Sequence, residues 1–227
     1  MMRNKLFVLL FLCACSETHD YIGTEYLNKP YVSNPLGEEK SPDEDPLIRF
    51  DAFDCTTFVE TSLANGNIQK LNQIRYKDSK IDLLNRNHFI ETDWLENNNL
   101  DNVSRLYAPV SIRHVTTDKK SWLKKVYGID ADCENKSVDI EYIPYKKLSK
   151  IDIQTPLIVL FIHDGNGFRE KTGTDLAVVH MGFLLPGNVL RHASKEYGRV
   201  MDIDFDAYVN KHKKNKHNLG IALVKIK

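Results

Sequence analysis

Three residues of this chain have the types and surroundings that acyl-transfer chemistry needs. Cys55 lies in Asp54-Cys55-Thr56-Thr57-Phe58-Val59, His180 in Val178-Val179-His180-Met181-Gly182-Phe183, and His192 in Leu190-Arg191-His192-Ala193-Ser194. A thiol used as a nucleophile needs a base nearby to share its proton and later to protonate the leaving amine. His180 is the candidate base. His192 is the polar group expected to orient that imidazole through its other nitrogen. Cys133 has Asp132 and Glu134 as neighbours and reads as a spectator, because negative charge disfavours a thiolate.

The elements that must position these residues follow from pattern. Phe58, Val59, Leu63 and Ala64 recur at helical spacing, Asp54 offers an N-cap and Asn65-Gly66 a stop, which predicts a helix over 53–64. Cys55 then sits in the opening turn, where unpaired amides and the positive end of the dipole favour a thiolate. Leu157 to Ile162, Val178 to Leu185 and Ile221 to Ile226 read as apolar, β-branched strands bounded by Pro156, Pro186 and Gly220. A strand would hold the His180 ring rigidly. The hairpin-like turn Pro186-Gly187-Asn188 then puts His192, 12 residues further on, in the neighbouring strand. Trp122 to Tyr127 suggests another short helix. A helix-rich first half over consecutive strands predicts an α+β fold with an antiparallel sheet.

The 227 residues balance Lys+Arg 31 against Asp+Glu 31, so the net charge is zero, which argues against nucleic acid as a partner. At 42% hydrophobic and 27% charged, the composition is that of an ordinary globular protein. Arg3 and Lys5 precede the apolar run Leu6 to Leu12, too short for a mature membrane span, and this reads as a secretory signal. Leu12-Cys13-Ala14-Cys15 resembles the lipobox of bacterial lipoproteins. That resemblance implies removal of residues 1–14, lipid on Cys15, a tether over 15–23 and a single domain over 24–227. The expected location is exported and periplasmic, membrane-anchored through the lipid. Residues 16–45 are polar and Pro-punctuated, an irregular lead-in. The basic run Lys211 to His217 reads as a solvated loop, and His163-Asp164-Gly165-Asn166-Gly167 as a turn without chemistry.

Taken together, the helix start Asp54-Cys55-Thr56-Thr57-Phe58-Val59, the strand His180-Met181-Gly182 and the strand His192-Ala193-Ser194 resemble the NlpC/P60 superfamily of papain-like cell-wall cysteine peptidases and amidases. Adding Glu60-Thr61, Asn85-Arg86-Asn87-His88-Phe89 and Asp93-Trp94, the chain is similar to the DUF1460 branch over about residues 24 to 225. The resemblance implies a nucleophile helix packed on an antiparallel sheet, with family-specific helical and loop insertions. It implies hydrolysis of the amide between N-acetylmuramic acid, favoured in its anhydro form, and the L-alanine of muropeptides, without a cofactor. Carried over, Cys55 is nucleophile, His180 general base and acid, and His192 the orienting partner. The backbone N–H of Cys55, pointing out of the helix start, is a natural oxyanion donor. Arg86, Asn87, His88, Asp93 and Trp94 are expected at the substrate, with Arg86 on a peptide carboxylate and Trp94 against a sugar face. Tyr31 is expected to border the site, as aromatic residues do in relatives.

Rival readings are weaker. A lone Cys or His is by default a buried core residue, and the 86–94 cluster can equally pin a loop by hydrogen bonds and a buried indole. Cys55 and Cys133 could pair in an oxidising compartment. A zinc site from His163, Asp164, His180 and His192 has neither an H-E-x-x-H helix nor paired C-x-x-C, and no G-x-S-x-G supports a serine nucleophile. A D-glutamyl-diamino acid endopeptidase and a non-catalytic muropeptide-binding module are the functional alternatives.

Overall fold

A computed structural model describes residues 21–227. The signal over 1–14 and the lipidation site Cys15 lie outside the described residues. The described residues hold six α-helices, α1 (Cys55–Ala64), α2 (Ile68–Arg75), α3 (Leu95–Asn97), α4 (Lys119–Tyr127), α5 (Phe168–Thr172) and α6 (Phe205–His212), and seven strands. The strands, β1 (Ser111–Thr117), β2 (Lys136–Pro144), β3 (Leu157–His163), β4 (Val178–Leu185), β5 (Val189–Ser194), β6 (Arg199–Asp204) and β7 (Asn218–Lys225), form one sheet. Its order is β1-β2-β7-β3-β4-β5-β6 and every pairing is antiparallel, so the fold is α+β as expected.

The uninterrupted apolar run of β3 is explained by burial on both faces, since alternate side chains of a strand point to opposite sides. Ile158, Leu160 and Ile162 pack with Phe58 and Val59 of α1, while Leu157, Val159 and Phe161 pack with Phe205 and Val209 of α6. β4 and β5 are joined through Gly187 and Asn188, both at positive φ (80° and 65°), which suits a two-stranded hairpin turn. Arg191 draws the segment ahead of residue 24 onto β5, donating to the carbonyls of Tyr21 (3.0 Å) and Ile22 (3.1 Å) while its Nε meets Asp202 (2.8 Å). Tyr21 and Ile22 are thus hydrogen-bonded to the sheet through Arg191. No helix among the described residues is long and apolar enough to cross a membrane.

Candidate active site

α1 begins with a capping box. The Asp54 carboxylate accepts the Thr57 N–H at 2.8 Å, and the Thr57 hydroxyl accepts the Asp54 N–H at 3.0 Å, which fixes Cys55 as the first helical residue. α1 packs against β4 and β5. The β4–β5 ladder runs from Leu185↔Val189 to Phe183↔Arg191. Further along β4, the backbone N–H of Met181 hydrogen-bonds the Cys55 thiol. Gly182 makes the crossing possible, because a Cβ there would lie 2.7 Å from the Arg191 carbonyl and 2.9 Å from the His192 Cβ. This gives the Gly of His180-Met181-Gly182 a steric reason.

One cavity of about 300 Å³ gathers Cys55, His180, His192 and Tyr31. His180 Nε2 lies 2.7 Å from His192 Nδ1. That contact leaves His180 Nδ1 as the nitrogen available to a thiol proton. For Nδ1 to accept, Nε2 must carry hydrogen and donate to His192, whose own proton then sits on Nε2. That atom is buried and has no partner among the described residues. Tyr31 is carried to the site by its bridge to Phe53, just ahead of α1.

The charge state differs from the sequence expectation. Burial pushes the Cys55 thiol up to about 11, with the Asp54 carboxylate adding to the rise against the Met181 and Thr56 hydrogen bonds. Burial, then the neighbouring His192 and His212, brings His180 down to about 3, and burial with His212 brings His192 to about 4. The helix-start preference for a thiolate is outweighed by removal from water, so the resting site holds a neutral thiol beside neutral imidazoles. Chemistry from that state would call for general-base transfer as the thiol attacks, not a preformed ion pair.

Three cavity residues carry no signature in the motifs. Tyr208 and His212 stack at 4.0 Å between ring centroids, and the Tyr208 ring lies 5.2 Å from His192, edge to face. Their spacing of four along α6 is a signal that sequence could have offered. His212 also ends a helix, so the basic run from Lys211 is not wholly a loop. Tyr145 completes this wall.

The 86–94 segment braces the scaffold. Trp94 has no exposed surface and cannot meet a sugar, in contrast to the expectation. Asp93 is buried against Lys136 (3.0 Å) and Lys119 (3.6 Å), and the Asn87 amide is spent on the Ile74 carbonyl and Asn97. Arg86 is held by Glu38 (3.3 Å), Asp43 (3.7 Å) and the Leu36 carbonyl, so a peptide carboxylate would have to displace existing partners. His88 bonds the Leu83 carbonyl at 3.0 Å. Glu91, in the π-helical turn Ile90–Trp94, accepts the Ala177 N–H at 2.6 Å just ahead of β4. Arg86, Asn87 and His88 do line a second cavity, on the far side of the α1 start. Cys55 and Cys133 are free thiols. His163 and Asp164 turn instead toward His217, and no three His, Cys, Asp or Glu side chains among the described residues are grouped to hold a metal.

Fold and site together define an α+β protein with a thiol–imidazole–imidazole cluster lining one cavity. The chain belongs to the N-acetylmuramoyl-L-alanine amidase-like (AmiA-like) family, whose model matches residues 21–220. Among solved structures it is similar to a DUF1460 protein of Legionella pneumophila, at 23% identity and TM-score 0.79, covering 90% of this chain and 86% of that one. It is similar to an N-acetylmuramoyl-L-alanine amidase of Bacteroides uniformis, at 24% identity and TM-score 0.70, covering 90% and 95%. A Bacteroides fragilis protein provisionally named a xylanase matches at 26% identity and TM-score 0.70, covering 89% and 98%. No curated protein sequence matches the chain.

Proposed function

We propose that this protein is an exported cysteine amidase of the papain-like NlpC/P60 type, which hydrolyses the amide between N-acetylmuramic acid and L-alanine in muropeptides. The sugar is taken in its 1,6-anhydro form. The observation that carries this reading is the convergence of Cys55, His180 and His192 on one cavity in a chain of the amidase-like family. As the Cys55 sulfur bonds to the lactyl carbonyl carbon, its proton passes to His180 Nδ1. The His192 imidazole stabilises the cation formed, and the Cys55 N–H at the α1 start faces the oxyanion. His180 then protonates the nitrogen of L-alanine as the C–N bond breaks, leaving a thioester. Water, deprotonated by the same imidazole, releases the muramic carboxylate and restores the thiol.

Glycoside cleavage, the chemistry implied by the name of the Bacteroides fragilis neighbour, uses two carboxyl groups flanking the bond. The cavity around Cys55 offers one, Glu196, which is paired to Lys211. Lipid on Cys15 would hold the enzyme at the membrane on its periplasmic side. The deciding experiment is mass spectrometry of muropeptides, with and without the anhydro sugar, after incubation with the protein and with Cys55→Ala. Free disaccharide plus an intact peptide beginning with L-alanine is the expected result. Cuts inside the peptide would make it an endopeptidase, and binding without cleavage would make it a wall-binding module.

A further inference from the structure

Across the first turn of α1 from the catalytic cavity lies a second one, also of about 300 Å³. Cys55 lines the first, whereas its chain neighbours Asp54 and Thr56 line the second. Adjacent Cα atoms are about 3.8 Å apart, so the wall of the second cavity begins one residue to either side of Cys55. An amide whose carbonyl carbon sits at that sulfur must send its acyl group toward one flank and its amine toward the other.

The two flanks differ in chemistry. The second cavity has an aromatic corner: the rings of Trp122 and Tyr127 lie 5.3 Å apart at 72°, both partly exposed, with His88 4.5 Å from Trp122. Beside the corner stand hydroxyl-binding groups, namely Asp43, Asp54 and Thr56. The Asp54 cap bonds use Oδ1 alone, which leaves Oδ2 to accept. Arg86, the cation on this wall, is already matched by Glu38 and Asp43. An aromatic face for the C–H side of a ring, with carboxylates for its hydroxyls, suits a neutral pyranose and repels an acidic peptide. On the catalytic side the rim carries Lys195, next to Glu196, whose carboxylate is already paired to Lys211. Stem peptides carry several carboxylates, and that rim suits them.

We infer that the Trp122–Tyr127 cavity is the saccharide subsite, which places the sugar on the Asp54–Thr56 side of Cys55 and the peptide on the Lys195 side. This rests on the amidase reading for its substrate class, and it moves the aromatic platform from Trp94 to Trp122.

The test uses the fact that the chain has 2 Trp, of which Trp94 has no exposed surface, so changes in indole emission on ligand binding report Trp122. Cys55→Ala protein is titrated with the peptide-free anhydro-disaccharide and, separately, with L-alanyl-γ-D-glutamyl peptide. The disaccharide should change the emission and shield the indole from acrylamide, the peptide should do neither, and Trp122→Phe should remove the response. In the catalytically intact protein, Tyr127→Ala should raise KM for the muropeptide about tenfold more than KM for an N-lactoyl peptide that lacks the sugar ring. An indole indifferent to the disaccharide, a response to the peptide alone, or equal KM changes on both substrates overturns the assignment. Failure of the wild-type protein to cleave either substrate would instead strike the amidase reading, because sugar binding by the Cys55→Ala protein is read without turnover.

Discussion

His180 Nε2 and His192 Nδ1 meet at 2.7 Å, so one imidazole sets the tautomer and the plane of the other. The rings are nearly perpendicular, at 78°, with His192 buried and His180 half-buried at the cavity, so the pair has one productive proton arrangement to offer a thiol. Removing the thiol and removing the orienting ring should therefore differ in kind. Cys55→Ala should lower kcat by at least about 10⁴-fold with unchanged melting. His192→Ala should lower kcat by about 10²-fold with KM little changed, and His192→Gln should restore some of the lost rate. Equal activity in wild type and His192→Ala would remove His192 from the mechanism.

The neutral resting state has a chemical signature. With the thiol near 11 and the imidazoles near 3 and 4, iodoacetamide should modify Cys55 slowly at pH 6–7 and faster toward pH 10. Turnover should be level across neutrality and fall on the acid side as the histidine pair gains a proton as a unit. Rapid alkylation at pH 5–6 would reveal a thiolate–imidazolium pair and contradict the burial argument.

The same shifts set the direction of stability with pH. Both histidines titrate at lower pH in the folded chain than the ordinary 6.5, so the unfolded chain binds more protons through the interval below that value. Stability held above about pH 6.5 is lost as pH falls toward 4 and 3. Thermal melts should drop steadily over that range, and a His180→Gln, His192→Gln double variant should flatten the slope.

Gly182 should be intolerant of the smallest enlargement. A methyl group at that Cα would stand 2.7 Å from the backbone carbonyl of Arg191, and β5 would have to retreat, carrying His192 with it. Gly182→Ala should lower kcat about tenfold or more with a smaller change in KM, checked beside a melting curve. Unchanged kinetics would show that β4 and β5 tolerate the shift.

Beneath the site, Arg75 donates to Glu60 on α1 at 3.1 Å, with both side chains buried, and its other nitrogens hold Thr61 and the Leu47 carbonyl. Arg75→Met should destabilise the fold by about 3–5 kcal/mol, because it strands the Glu60 carboxylate in the core. The double variant with Glu60→Gln should recover some of that loss in a denaturant titration.

Where local rules act alone, the sequence is readable. Asp54 and Asn65 bound α1 within two residues of expectation, and β3 and β4 follow their apolar runs. β1 (Ser111–Thr117) escapes such a reading because it is mostly polar, whereas β2 carries a period of two, Val138, Ile140 and Tyr142 alternating with Ser137, Asp139 and Glu141, that sequence could have offered. The protonation of Cys55 departs from expectation for a different reason, since the helix start is local and the burial that outweighs it comes from β4, more than a hundred residues away. Nor can composition tell which of two indoles faces out. Trp94 is drawn inward by a π-helical turn whose Trp94 N–H reaches the Phe89 carbonyl at 2.9 Å, while Trp122 sits on a helix at the rim of a cavity.

The place of β7 between β2 and β3 bears on how the protein comes into being. Until residues 218–225 arrive, the β1–β2 ribbon has nothing to join and β3 presents Leu157 to Ile162 as a bare hydrophobic edge. Assembly must wait for the last strand in chain order, and most of its pairing partners lie far away in sequence. A chain still leaving the ribosome therefore has no finished sheet on which to bring Cys55 and His180 to one cavity. The Cys55–His180–His192 cavity is completed late in biogenesis, and a chain broken off before β7 would be a misfolding hazard.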